Sequence, residues 1–191
     1  MTKDDLESQA NGLIASAKAS VLLQGSFPFT ILVHFSGEWM NLPFPKELEP
    51  LLNVGKAKDL IYTSVRETVQ ARKADGVIFG SEAWFSRTTP EGLPHYDSPE
   101  WKELHDFGFV KLVQRGWVKR YEAFVITAQS ATDALVIRQT FQRLESGAIQ
   151  LLDCERRWFE QDHFGGRQKM FGDLRWENLG SEEAVKGTAN K

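Results

Sequence analysis

Two glutamates and one histidine lie inside stretches of the sequence that otherwise favour β-strands. Glu82 is in the apolar stretch 76–87, Glu122 is in the stretch 120–128, and His34 is in a stretch before residue 36 that is rich in β-branched and aromatic residues. Two carboxylates held close together in a poorly solvated site have their pKa values pushed apart, so that one can act as an acid and the other as a base. They can also bind a hard cation. One hypothesis is therefore a small metal-dependent or acid/base hydrolase, with Glu82, Glu122 and His34 as its catalytic residues.

The same residues also have an ordinary structural interpretation. A strand glutamate commonly pairs with an arginine on a neighbouring strand, and Arg120 and Arg138 are the candidate partners. A single strand histidine is commonly held by a hydrogen bond inside the fold. The sequence contains no glycine-rich phosphate loop, no Gly-x-Ser-x-Gly elbow and no His-Glu-x-x-His motif, so it identifies neither a cofactor nor a set of metal ligands. The sequence does not decide whether the protein is an enzyme.

The aromatic content favours a different hypothesis, a module that binds a partner or a ligand. Aromatic residues make up 12% of the chain, including six tryptophans. Tryptophan and arginine are enriched where proteins meet their partners. The candidate contact residues are Trp39, Trp84, Trp101, Trp117 and Arg120. The leading hypothesis is therefore that the protein is a binding module and a homodimer. Its partner would be a protein or a small molecule.

Nucleic-acid binding is the third hypothesis, because arginine and lysine alternate with tryptophan and phenylalanine in the C-terminal segment 155–176. Such a segment can follow a phosphate backbone while its rings stack on bases. Acidic residues nearly neutralise the segment, and the formal net charge of the chain is −3. Binding to nucleic acid depends on neutralising phosphates, so the charge argues against this function.

Cysteine content and the N-terminal sequence bear on the compartment. The single cysteine, Cys154, excludes an internal disulfide and a cysteine-based zinc site, and we expect it to be a small buried residue. The N-terminus lacks a basic start followed by an apolar run, and no segment reaches about 18 consecutive apolar residues. These features predict a cytoplasmic protein that does not act in a membrane.

The order of periodic segments predicts an α+β domain. Helical spacing of apolar residues covers 3–21 and 56–74, and Thr2 and Gly25 are suited to cap the first helix. Strands are predicted at 28–35, 39–44, 76–87, 120–128, 134–143 and 148–154. We expect a mainly antiparallel sheet of about five to six strands, with two amphipathic helices on one face and a long irregular loop at 88–118. Residues 1–179 are predicted to form one domain, and 180–191 a disordered tail.

Overall fold

The fold is a six-stranded sheet with one long helix on each side. It was obtained as a computed structural model, which describes residues 1–53, 55–88, 98–99, 113–114, 116, 118–160 and 170–171. The helices are α1 (Lys3–Gln24) and α2 (Gly55–Ala71), and a 3-10 helix (Lys46–Asn53) precedes α2. The strands are β1 (Thr30–Phe35), β2 (Glu38–Leu42), β3 (Gly76–Thr88), β4 (Val118–Ser130), β5 (Asp133–Arg143) and β6 (Ile149–Glu160).

Helix α1 begins and ends where the sequence predicts. The Thr2 side chain accepts a hydrogen bond from the Asp5 backbone N–H, and the Asp5 side chain bonds back to the Thr2 backbone, which forms a capping box. Gly25 ends the helix in the left-handed conformation, at φ 78°. The apolar stripe of the helix is buried along its whole length: Leu6, Ala10, Leu13, Ile14, Ala17 and Val21.

All neighbouring strands are antiparallel, in the order β2-β1-β3-β4-β5-β6. The turn between β1 and β2 is tight because Ser36 and Gly37 both adopt positive φ angles, 54° and 84°. The α+β class and the antiparallel sheet are confirmed, and β6 continues six residues beyond the predicted end of its strand. Residues 89–97 and most of 98–117, together with the tail 180–191, lie outside the described part of the chain.

The two helices lie on opposite faces of the sheet, so the prediction that both pack on one face is wrong. Helix α1 packs on a cluster that contains Ile78, and α2 packs on a cluster that contains Val77. Adjacent residues of a strand point to opposite faces, so the two clusters belong to different faces. Helical periodicity shows that a helix has an apolar stripe, but it does not show which face of the sheet that stripe covers.

Cys154 is exposed, which corrects the expectation that it is buried. It lies on β6, an edge strand that pairs only with β5 in the described ranges, so one side of the strand lacks a sheet neighbour there. No helix in the described part of the chain is long and apolar enough to cross a membrane.

Candidate functional site

The two glutamates of the hydrolase hypothesis lie on the same sheet face, and Arg143 connects them. In the β3–β4 pairing Glu82 is opposite Phe124, two residues from Glu122, so all three side chains share the α1 face. Arg143 donates from Nε to Glu122 Oε2 at 2.7 Å, and its Nη2 is 3.9 Å from Glu82 Oε2. The arginine therefore lies between the two carboxylates.

The same arginine and glutamates also attach the end of helix α1 to the sheet. Arg143 Nη1 donates to the Gly25 carbonyl oxygen at 2.7 Å, and the Phe27 backbone N–H donates to Glu82 Oε1 at 2.6 Å. One carboxylate oxygen of each glutamate is thus occupied by a protein donor. This arrangement fixes the chain after α1. Neither of the arginines expected as partners takes this position, because Arg120 and Arg138 contact other residues.

His34 lies in a separate cluster at the other end of the sheet. It is opposite Gly76 in the β1–β3 pairing, and Glu82 is six residues further along β3, a separation of about 20 Å at about 3.3 Å per residue. His34 Nδ1 contacts one carboxylate oxygen of Asp75, and the N-terminal ammonium of Met1 lies 3.1 Å from the other. His34 is therefore not placed beside the two glutamates as a shared base.

The carboxyl group of Asp75 is held in its charged form. Burial alone would raise its pKa, but the hydrogen bonds from His34 and the N-terminal ammonium, with the charges of both groups, outweigh that effect and lower it. In the described ranges, no group of three or more histidine, cysteine, aspartate or glutamate side chains could hold a metal ion.

The tryptophans proposed as contact residues have different surroundings. Trp84 is 56% exposed on the α1 face, and the Arg120 guanidinium lies 3.8 Å from its ring centroid. Trp39 is half-buried, 5.1 Å from the His34 ring. Trp101 and Trp117 lie outside the described residues. The structure therefore brings Trp84 and Arg120 together and leaves Trp39 near the distant sheet end.

The opposite face of the sheet contains a groove that sequence reasoning did not find. It has a volume of about 610 Å³ and lies on the part of the α2 face formed by β3 to β6. Helix α2 packs on β1 and the first half of β3, through contacts with residues such as Val33 and Phe79, and not on this part. The groove is lined by Ala83, Phe85, Val125, Val136, Arg138, Glu155, Arg156, Arg157 and Phe159.

The floor of the groove is apolar but only half-buried. Val125 on β4 and Val136 on β5 retain partial exposure, although both lie on interior strands. Their neighbours on the α1 face, Phe124 and Leu135, are 0% exposed. At these positions the two strands are thus completely covered on the α1 face and only partly covered on the α2 face. No sequence signal could separate the faces, because both carry apolar residues.

The rim of the groove carries cations supported by aromatic rings. The Arg138 guanidinium lies 4.4 Å from the centroid of the Phe85 ring and pairs with Glu155. The Arg157 guanidinium lies 4.9 Å from the centroid of the Phe159 ring. Stacking on a ring holds the planar guanidinium in place, so that its N–H groups can reach an anion. The groove thus combines an apolar floor with oriented donors.

The first part of the basic-aromatic segment belongs to strand β6 and is divided between two faces. The side chain of Arg156 pairs with Glu7 of α1 at 3.5 Å, while Arg157, opposite Val136, has its side chain on the groove face. Adjacent strand residues point in opposite directions, so these two arginines do not form one basic track. The rest of the segment lies outside the described residues, except for positions 170–171.

No protein-family model matches the chain, and no curated protein and no solved structure shows significant similarity to it. We therefore infer the function from the geometry of the described residues.

Proposed function

We propose that the protein is a binding module whose ligand is a small molecule held in the groove on the α2 face. The observation that carries the proposal is the difference between the two faces of β4 and β5. Phe124 and Leu135 are 0% exposed under α1, whereas Val125 and Val136 remain partly exposed in the groove. Apolar surface left open at the centre of a sheet is stabilised when a ligand removes it from water.

The size and lining of the groove favour a small molecule as the ligand. A volume of about 610 Å³ falls within the range of about 300–1,000 Å³ that is usual for small-molecule sites. Such sites have mainly apolar walls with a few polar groups that orient the ligand. Val125, Val136 and Ala83 supply the apolar floor, and the arginines at the rim supply the polar groups.

The other hypotheses stay predictions. Exposed Trp84 with Arg120 is the feature that supports a protein partner on the α1 face. The homodimer and the cytoplasmic location are expectations from the sequence. The hydrolase hypothesis is supported by the shared face of Glu82 and Glu122, and the hydrogen bonds that occupy both carboxylates weaken it.

A neutral fluorescent probe tests the proposal directly. N-phenyl-1-naphthylamine carries no charge and fluoresces strongly in apolar surroundings, so we expect saturable binding to the wild-type protein. The variant Val136→Trp fills the groove from its floor and should weaken that binding about tenfold or more, the effect of losing about 1.4 kcal/mol. The matched control is Met40→Trp, because Met40 is a strand residue that is 41% exposed and lies on β2, outside the groove.

The control decides how the titration is interpreted. Circular dichroism and thermal melting establish that both variants fold. Equal binding by the wild type and both variants would place the probe elsewhere, and absence of binding to the wild type would leave the groove without a ligand. Either result would contradict the proposal.

A further inference from the structure

We infer that the ligand carries an anionic group, a carboxylate or a sulfonate, and that Arg157 binds it. This inference rests on the proposed function, because it concerns the chemistry of the ligand in the same groove. It depends on the charged groups of the rim and on how each of them is paired.

Arg157 differs from the other arginines of the groove in its pairing. Arg138 pairs with Glu155, and Arg156 pairs with Glu7 of α1. Across the ranges that the structure describes, Arg157 makes no ion pair, and its guanidinium lies 4.9 Å from the centroid of the Phe159 ring. It is therefore the rim cation whose charge is available to a ligand.

The local charge favours an anion although the whole chain is acidic. Arg138, Glu155 and Arg157 are the charged residues whose side chains lie on this face among those lining the groove, and their charges sum to +1. The chain as a whole has a formal charge of −3. The net charge of the protein repels anions, so attraction of an anion to the groove must come from the charges of the groove itself. The effect of Arg157 on anion binding can therefore be measured apart from the effect of net charge.

The position of Arg157 also sets where the charge of the ligand lies. Arg157 is directly opposite Val136 in the β5–β6 pairing, so its side chain starts beside the floor of the groove. Its guanidinium is held against a ring, which lowers the entropy lost when it binds a carboxylate or sulfonate. We therefore expect a ligand with an apolar body over Val125 and Val136 and an anionic group towards β6.

Two probes with the same ring system test this inference. 1-Anilinonaphthalene-8-sulfonate differs from N-phenyl-1-naphthylamine by its sulfonate group. For Arg157→Gln we expect the sulfonate probe to bind about tenfold more weakly, as for a lost charge-assisted hydrogen bond, while the neutral probe binds within about twofold of the wild type. Arg157→Lys keeps the charge without the planar fork, and we expect an intermediate loss.

Arg120→Gln is the matched control variant. Arg120 also lies over an aromatic ring, that of Trp84, but on the opposite face of the sheet, so its loss changes the net charge equally. If Arg157→Gln leaves binding of the sulfonate probe unchanged, or if Arg120→Gln weakens it equally, the inference about Arg157 is wrong. Binding of the neutral probe would still support the groove as a ligand site. Failure of the neutral probe to bind the wild type would instead overturn the proposed function itself.

Discussion

Replacing Arg143 should show whether the two glutamates belong to a structural clamp or to a chemical site. Arg143 makes two hydrogen bonds of 2.7 Å, one to Glu122 and one to the Gly25 carbonyl, and its side chain is 42% exposed. Charge-assisted hydrogen bonds contribute about 1.5–3 kcal/mol each when well shielded, and partial exposure places these two at about 1 kcal/mol each. We therefore expect Arg143→Gln to lower the free energy of unfolding by about 2 kcal/mol.

The loss of unfolding free energy should exceed that of a surface ion pair, because Arg143→Gln leaves two carboxylates without their cation. Glu122 is only 18% exposed and Glu82 is 33% exposed, so the two carboxylates would face each other in a partly shielded place without the cation between them. For a chain of this size, about 2 kcal/mol corresponds to a decrease of about 4–8 °C in melting temperature.

Urea unfolding followed by circular dichroism measures this change, with Arg156→Gln as the control. Arg156 also pairs with a glutamate, but at 3.5 Å and with both side chains at least 40% exposed, so its loss should cost less than about 0.5 kcal/mol. A cost for Arg143→Gln no larger than that of the control would refute the clamp. A rise in stability on losing Arg143 would refute it as well.

Four further substitutions test other parts of the structure. Gly80→Ala should destabilise by about 1–3 kcal/mol in urea unfolding, because a Cβ there would lie 2.9 Å from a ring carbon of Phe27, and a cost near zero would contradict this packing. Asp75 has a lowered pKa, so its contribution to stability is present above about pH 4 and is lost as the pH falls through its folded-state value. The stability gap between the wild type and Asp75→Asn should therefore stay constant down to about pH 4 and narrow as the pH falls further in urea unfolding, and a gap that stays constant below about pH 4 would contradict it. Leu135→Ala should cost about 2–5 kcal/mol and Val136→Ala less than about 1 kcal/mol in thermal melting, because only the first side chain is fully buried; equal costs would mean that both faces are covered.

The sequence was sufficient to predict elements whose signals are local. The stripe and caps of α1 are encoded within about 25 residues, and the structure has all of them. The strand around Glu82 is also local, since a run of Val, Ile, Phe and Trp forms it. Pairing of Glu82 with an arginine was one of the interpretations that the sequence offered.

The partner of that carboxylate could not be predicted, because it depends on contacts between distant parts of the chain. Arg143 reaches Gly25 across 118 positions, and this contact exists only once α1 has packed on β4 and β5. Arg120 and Arg138 are the candidates predicted from the sequence, and Arg143 is not among them. The packing of the sheet selects Arg143.

The groove could not be predicted for a related reason. Val125 and Val136 lie in continuous apolar runs, and such runs predict burial on both faces of a strand. Whether such a face is covered depends on where α2 lies across the sheet. Periodicity within α2 carries no information about that placement.

An NMR titration with 1-anilinonaphthalene-8-sulfonate tests whether a ligand binds in the groove. If it does, the backbone amide shifts will change at residues lining the groove, including Val125, Val136 and Arg157, and saturate with a single affinity. The amides around the clamp at Glu82 and Arg143 will change least. Shifts centred on the clamp or on Trp84, with the groove unaffected, would contradict the account.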